Sequence, residues 1–184
     1  MARTLSVMAA LGTKAPGFDL PDTVSGKNLS LTDLKGEIAT VIMFICNHCP
    51  FVKHVNSELV KMANEYKNKS VGFVAINSND VTNYPDDSPV LMTEVAKQLK
   101  YPFPYLYDES QQVAKDYKAA CTPDFFIYDK DLQLVYRGQF DDSRPGNEIP
   151  VTGKDIRHAL DCLINNQPVP EIQIPGIGCN IKWK

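Results

Sequence analysis

Residues 38–45, Ile-Ala-Thr-Val-Ile-Met-Phe-Ile, form a nearly unbroken apolar run rich in β-branched side chains. Such a run suits a strand covered on both faces, as in a parallel sheet. From 51 to 69 the period changes. Val52, Val55, Leu59, Met62, Ala63 and Tyr66 recur at three- and four-residue spacings, the stripe of an amphipathic helix. Val71–Asn77 reads as a second buried strand. Strand, helix and strand make a crossover unit, which must be right-handed with its helix on one face.

The alternation continues. Leu91, Met92, Val95, Ala96 and Leu99 mark a helix, Tyr105–Tyr107 a short strand, and 113–117 part of another helix. Residues 124–128 and 132–137 read as two strands joined by Asp129-Lys130-Asp131, a hairpin signal. Residues 152–165 predict a closing helix, opened by the capping pair Thr152 and Asp155. Ahead of the first long strand, 12–36 predicts a small hairpin and a helical turn stopped by Gly36. Residues 167–184 hold three prolines and two glycines and read as an extended tail without a core of its own, with Trp183 as its anchor. The expected architecture is a single α/β domain over 1–184, with its core over about 12–165, a mixed sheet flanked by helices, an N-terminal hairpin and the tail from 166.

Composition narrows the function classes. A net charge of −3 with 22% charged residues gives no basic field for nucleic acid. The first twelve residues carry one Arg and a weak apolar stretch, short of a signal peptide or of the ~20 apolar residues a membrane span needs. The expected location is the cytoplasm. There, five cysteines are not read as a disulfide framework.

Two of the five stand together in Cys46-Asn47-His48-Cys49-Pro50, directly after the apolar strand. At that junction backbone N–H groups favour negative charge, so Cys46 is expected to be an activated thiolate. Cys49, three residues on, lies near enough to join it and is expected to be the buried resolving thiol. Pro50 suits the first helical turn. A zinc reading would use Cys46, Cys49 and His54, but a structural site wants four ligands and no second knuckle is present. No metal and no cofactor is assigned.

The piece Leu31-Thr32-Asp33-Leu34-Lys35-Gly36, the apolar strand, the CxxCP segment, and Thr122-Pro123 ahead of a strand together resemble the thioredoxin-like proteins of the TlpA, ResA and AhpC/TSA group. The resemblance runs over about 12–165 and implies a thioredoxin-like fold. It implies that Pro123 is a cis-proline facing the cysteines, and that the backbone at Thr122 and Pro123 receives a substrate strand. The sequence departs from thioredoxins at Ile45, where they carry Trp, and at Thr40, where they carry a buried acid. Asp80 is the nearest candidate for a replacement base; its simpler reading is a loop cap. His48 occupies the place of the His in disulfide-donating relatives, where an imidazole stabilises the thiolate.

The expected activity is therefore thiol–disulfide exchange, with Cys46 as nucleophile, Cys49 as resolving thiol, His48 beside them and Pro123 opposite. The partners would be a disulfide-containing protein or small molecule and an upstream thiol reductant, with no nucleic acid and no membrane. Cys121 is a further redox thiol or a packing residue; Cys162 packs. Cys179, on the tail, could resolve an oxidised Cys46 as terminal cysteines do in some peroxiredoxins. A thiol peroxidase is the alternative. Its Thr and Pro positions hold Met43 and Ala39 before Cys46, and Cys46 and Ile42 before Cys49, although Arg137 could assist a peroxide. A further alternative is copper handling of the SCO kind, for which His54 or His158 would have to serve.

Overall fold

The computed structural model describes residues 3–184. It opens with a short strand, β1 (Arg3–Leu5), then a hairpin of β2 (Asp19–Pro21) and β3 (Asn28–Ser30). One helical turn, α1 (Leu31–Leu34), follows. Ser30 caps it, accepting the Asp33 N–H while the Asp33 carboxylate accepts the Ser30 N–H. The crossover unit is β4 (Ala39–Phe44), α2 (Pro50–Tyr66) and β5 (Val71–Asn77). A 3-10 turn at Pro85–Asp87 leads into α3 (Pro89–Leu99), and then come β6 (Tyr105–Tyr107) and α4 (Gln112–Asp116). The second half holds β7 (Cys121–Thr122), β8 (Asp124–Asp129), β9 (Leu134–Gly138), α5 (Lys154–Ile164) and β10 (Ile177–Asn180).

The main sheet has the order β6-β5-β4-β8-β9. Strand β4 runs parallel to β5 and antiparallel to β8, so the sheet is mixed. All six residues of β4 are buried, because successive side chains point to opposite faces and each face is covered. Val41 and Met43 meet Val52, Leu59 and Met62 of α2 and Leu160 of α5. Ile42 and Phe44 meet Val113, Ala114 and Tyr117 around α4. Among the described residues no helix is long and apolar enough to cross a membrane.

Two expectations are corrected. The Thr152–Asp155 capping pair does not form: α5 starts from Gly153 at φ 63°, without a side-chain cap. The buried Asp141 carboxylate accepts the Thr152 and Gly153 N–H groups at 2.7 and 2.6 Å instead, so the first turn is fixed from another loop. The tail is not a loose arm either. Strand β10 lies between β1 and β7, antiparallel to both. Trp183 is 43% exposed, and the tail's buried side chains include Cys179 and Ile181. Strand pairing and Ile181, rather than Trp183, hold the tail down.

Gly178 shows how closely β10 is seated. A Cβ there would lie 2.1 Å from the Thr122 carbonyl oxygen, so β10 and β7 would have to separate. Gly178→Ala is expected to cost about 2 kcal/mol or more. Urea unfolding checks this, and an unchanged midpoint would contradict the seating.

Candidate active site

Ile45 continues the β4 ladder with its N–H on the Ile76 carbonyl at 3.0 Å. The chain then turns through Cys46–Cys49 before α2 begins at Pro50, with Cys49 as its N-cap residue. Proline lacks the N–H that a first-turn position leaves unused, which sets the helix start there. The cysteine at the helix end is thus Cys49, not Cys46 as expected. Both thiols are unbridged and buried, at 1% and 0% exposure.

Cys46 Sγ lies 3.5 Å from Thr122 Oγ1 and 3.9 Å from His48 Nδ1. The Cys49 thiol donates to the Thr122 carbonyl at 3.1 Å. A hydrogen bond between the two thiols divides their titration. It brings Cys49 down to about 4, against burial and with help from Thr122, Cys179 and the Val52 N–H. The same bond, then burial and the Asp87 carboxylate, pushes Cys46 well above the usual thiol range. The shared bond thus acts in opposite directions on the two thiols, down on Cys49 and up on Cys46, whereas the sequence led to an expected lowering of Cys46.

A residue that sequence reasoning did not single out organises this turn. Asp87, whose side chain is 0% exposed, sits 2.6 Å from His48 Nδ1 through Oδ2. Its Oδ1 accepts the Asn47 and His48 N–H groups at 2.8 and 3.2 Å, and Oδ2 accepts the Asn79 amide at 2.8 Å. Burial raises the Asp87 carboxyl, but the bonds from His48 and Asn79 outweigh it and hold it below the ordinary value. The Asp87 hydrogen bond raises His48, against partial burial. Tyr84 stacks on the His48 ring at 5.6 Å and 14°, and Tyr105 OH donates to the Asn47 side-chain oxygen at 3.2 Å. Both residues between the cysteines are thereby fixed.

Thr122-Pro123 is a cis peptide, and Thr122 touches both sulfurs. One edge of β7 is paired with β10, Thr122 opposite Cys179, and β7 is the terminal strand of that sheet. Cys121 packs, with Sγ 3.8 Å from Ser6 Oγ and 3.6 Å from the Pro123 carbonyl; burial, then the Asp124 carboxylate, pushes its thiol far up. Cys179 is buried at 2%, and burial followed by its hydrogen bond to Cys49 pushes it up to about 12. Cys162 is half-buried on α5, 3.9 Å from His158 Nε2.

The remaining candidates lie elsewhere. Asp80 caps its own loop through the Thr82 N–H at 3.0 Å and the Asn83 amide at 2.5 Å. Thr40 accepts the Gly36 N–H at 3.1 Å. Arg137 is wholly buried, 3.2 Å from Asp124 Oδ2, bonded to the Lys118 carbonyl at 2.7 Å and 4.3 Å over the Phe126 ring. It is committed to the core and not to a peroxide. His54 bonds Ser143 Oγ at 2.7 Å. Cys46 Sγ, His48 Nδ1 and Asp87 Oδ2 lie within 4.8 Å of one another. These donor types can hold zinc, but here the imidazole and carboxylate are engaged with each other.

The profile of the AhpC/TSA family matches residues 11–137, from just before the hairpin into β9. The chain belongs to the AhpC/TSA family. No functionally curated protein matches it. A crystal structure of an uncharacterized conserved protein from Geobacillus kaustophilus shares 62% identity at a TM-score of 0.99, covering 100% of this chain and 97% of that one. A hypothetical protein from Sinorhizobium meliloti shares 47% at 0.96, covering 98% of each. The thioredoxin domain of a thiol-disulfide oxidoreductase from Bacteroides vulgatus shares 19% at a TM-score of 0.60, covering 71% of this chain and 89% of that one. That likeness fixes the fold of this AhpC/TSA member as thioredoxin-like. Helix α5 and strand β10 lie beyond the family match, yet the first two structures extend over them.

Proposed function

We propose that this protein is a thiol–disulfide oxidoreductase, with Cys46 and Cys49 as its working pair, acting in a reducing compartment such as the cytoplasm. The observation that carries this reading is the pair of buried thiols gathered on Thr122 beside cis-Pro123, Cys46 Sγ 3.5 Å from its hydroxyl and the Cys49 thiol donating to its carbonyl at 3.1 Å. Cys46 is the sulfur an incoming disulfide meets, because it adjoins His48, whose side chain is 15% exposed, whereas Cys49 adjoins Thr122, Val52 and Cys179. As Cys46 attacks, its proton passes to Cys49 across their hydrogen bond. A bond forms between Cys46 and one substrate sulfur, and the other leaves as a thiolate beside the His48 imidazolium. Cys49 then attacks Cys46 Sγ, its proton passes to the second substrate sulfur, which departs as a thiol, and the Cys46–Cys49 disulfide remains. The substrate gains two electrons, and an external thiol reductant restores the pair.

With β10 already on one edge of β7, a substrate does not add as a strand on that edge. This favours a small disulfide, or a protein disulfide that reaches Cys46 past His48. The missing Thr and Pro positions before each cysteine and the burial of Arg137 argue against a peroxidase. Steady-state assays with dithiothreitol as reductant test the proposal. Oxidised glutathione or insulin disulfides are expected to turn over, and hydrogen peroxide to react no faster than with an ordinary thiol. Peroxide turnover without disulfide reduction would overturn it.

A further inference from the structure

We propose that Cys179 is a third redox thiol of this site, which exchanges with Cys49 so that the oxidised protein holds either a Cys46–Cys49 or a Cys49–Cys179 disulfide. The inference rests on the working pair proposed above. Its ground is the seating of β10. Cys179 is the register partner of Thr122 in the antiparallel β10–β7 pair, and residues directly opposite in such a pair project to the same face. The Thr122 hydroxyl on that face is 3.5 Å from Cys46 Sγ, and the Thr122 carbonyl accepts the Cys49 thiol at 3.1 Å. Cys179 is buried in the same cluster as Cys46, Cys49 and Val52. The mutual influence of Cys49 and Cys179 on their titration follows from a hydrogen bond between them. Cys49 is thus the middle of three thiols, with Cys46 on the side of His48 and Cys179 on the side of the closing strand. Gly178, where any Cβ would strike the Thr122 carbonyl, keeps the strand this close.

The exchange balances without an added reactant. Cys179 attacks Cys49 of the Cys46–Cys49 disulfide; the Cys49–Cys179 bond forms, the Cys46–Cys49 bond breaks, and the Cys179 proton ends on Cys46. The protein keeps the same oxidation level, while Cys46 is returned as a thiol. A cysteine that resolved Cys46 directly, the role first expected of Cys179, would leave Cys49 free instead.

The test uses the full chain with Cys162→Ser, so that the tryptic peptide 158–182 carries only Cys179, while Cys46 and Cys49 share peptide 36–53. The protein is oxidised with one equivalent of diamide, which takes two electrons per disulfide, then alkylated under denaturing conditions and digested. The expected result is a mixture of an internal bond in 36–53 and a cross-link from 36–53 to 158–182. Cys46→Ser should shift the product wholly to the cross-link, and Cys179→Ser should abolish it while keeping the internal bond. If Cys46→Ser fails to fold by circular dichroism, fragmentation of the parent's cross-linked 36–53 decides: an alkylated Cys46 supports the relay, and an alkylated Cys49 overturns it. An internal bond with Cys179 fully alkylated overturns the relay alone. No bond in 36–53 and no cross-link overturns the working pair as well.

Discussion

Asp87→Asn is expected to lower the stability of the folded protein by about 3 kcal/mol, because removing one partner from a buried, hydrogen-bonded charge pair has a cost of that order. The carboxylate accepts four N–H groups, from Asn47, His48, His48 Nδ1 and Asn79. An amide at the same place would turn its NH2 toward one of these donors. The effect should depend on pH in a definite sense. Asp87 is lowered, so its contribution is present above about pH 3.9 and fades as pH falls through its folded value. His48 is raised, so its contribution is full below about 6.5 and is lost as pH rises through its folded value. The gap between native protein and variant should be widest between about pH 4.5 and 6 and narrow toward pH 9. Denaturant unfolding at three pH values measures it; a flat gap, or one below about 1 kcal/mol, would contradict the role given to Asp87.

Cys49→Ser and Cys46→Ser are expected to abolish turnover for different reasons. Without Cys49, attack by Cys46 stops at the mixed disulfide, so incubation with oxidised glutathione should leave one glutathione on Cys46. Without Cys46, the remaining pair-member is enclosed by Thr122, Val52 and Cys179, and no glutathione should be captured. Intact-mass measurement distinguishes these results. Capture by Cys46→Ser and none by Cys49→Ser would reverse the assignment, with the lowered Cys49 as the attacking sulfur.

The strands and helices were legible where a continuous pattern specified them. The run at 38–45 announced β4, and the stripe from Val52 to Tyr66 announced α2, because burial on two faces or one leaves a periodic trace. The Cys46-x-x-Cys49-Pro50 segment marked the candidate site for a similar local reason. What stayed hidden depends on long-range contact. Asp87 stands in Asp86-Asp87-Ser88-Pro89, which locally signals only a helix start, and its bonds to Asn47 and His48 cross about forty residues. The same holds for Gly153, whose helix is capped by Asp141 rather than by Thr152. The tail is the clearest case. Its prolines mark an extended segment, but nothing local says that Ile177–Asn180 would pair with β7 or bring Cys179 to Cys49. Placing Cys46 at the helix start failed for a subtler reason: Cys46–His48 form a turn before the helix, so its N-cap is the second cysteine.

The most direct measurement of the central claim is peptide mapping of the reduced native protein after reaction with one equivalent of oxidised glutathione. Peptide 36–53 is expected to lose two hydrogens, about 2 Da, as the Cys46–Cys49 disulfide forms and two glutathione thiols are released, with Cys121 still alkylated by iodoacetamide. Peptide 36–53 recovered with both cysteines alkylated, while the glutathione disulfide remains intact, would contradict it.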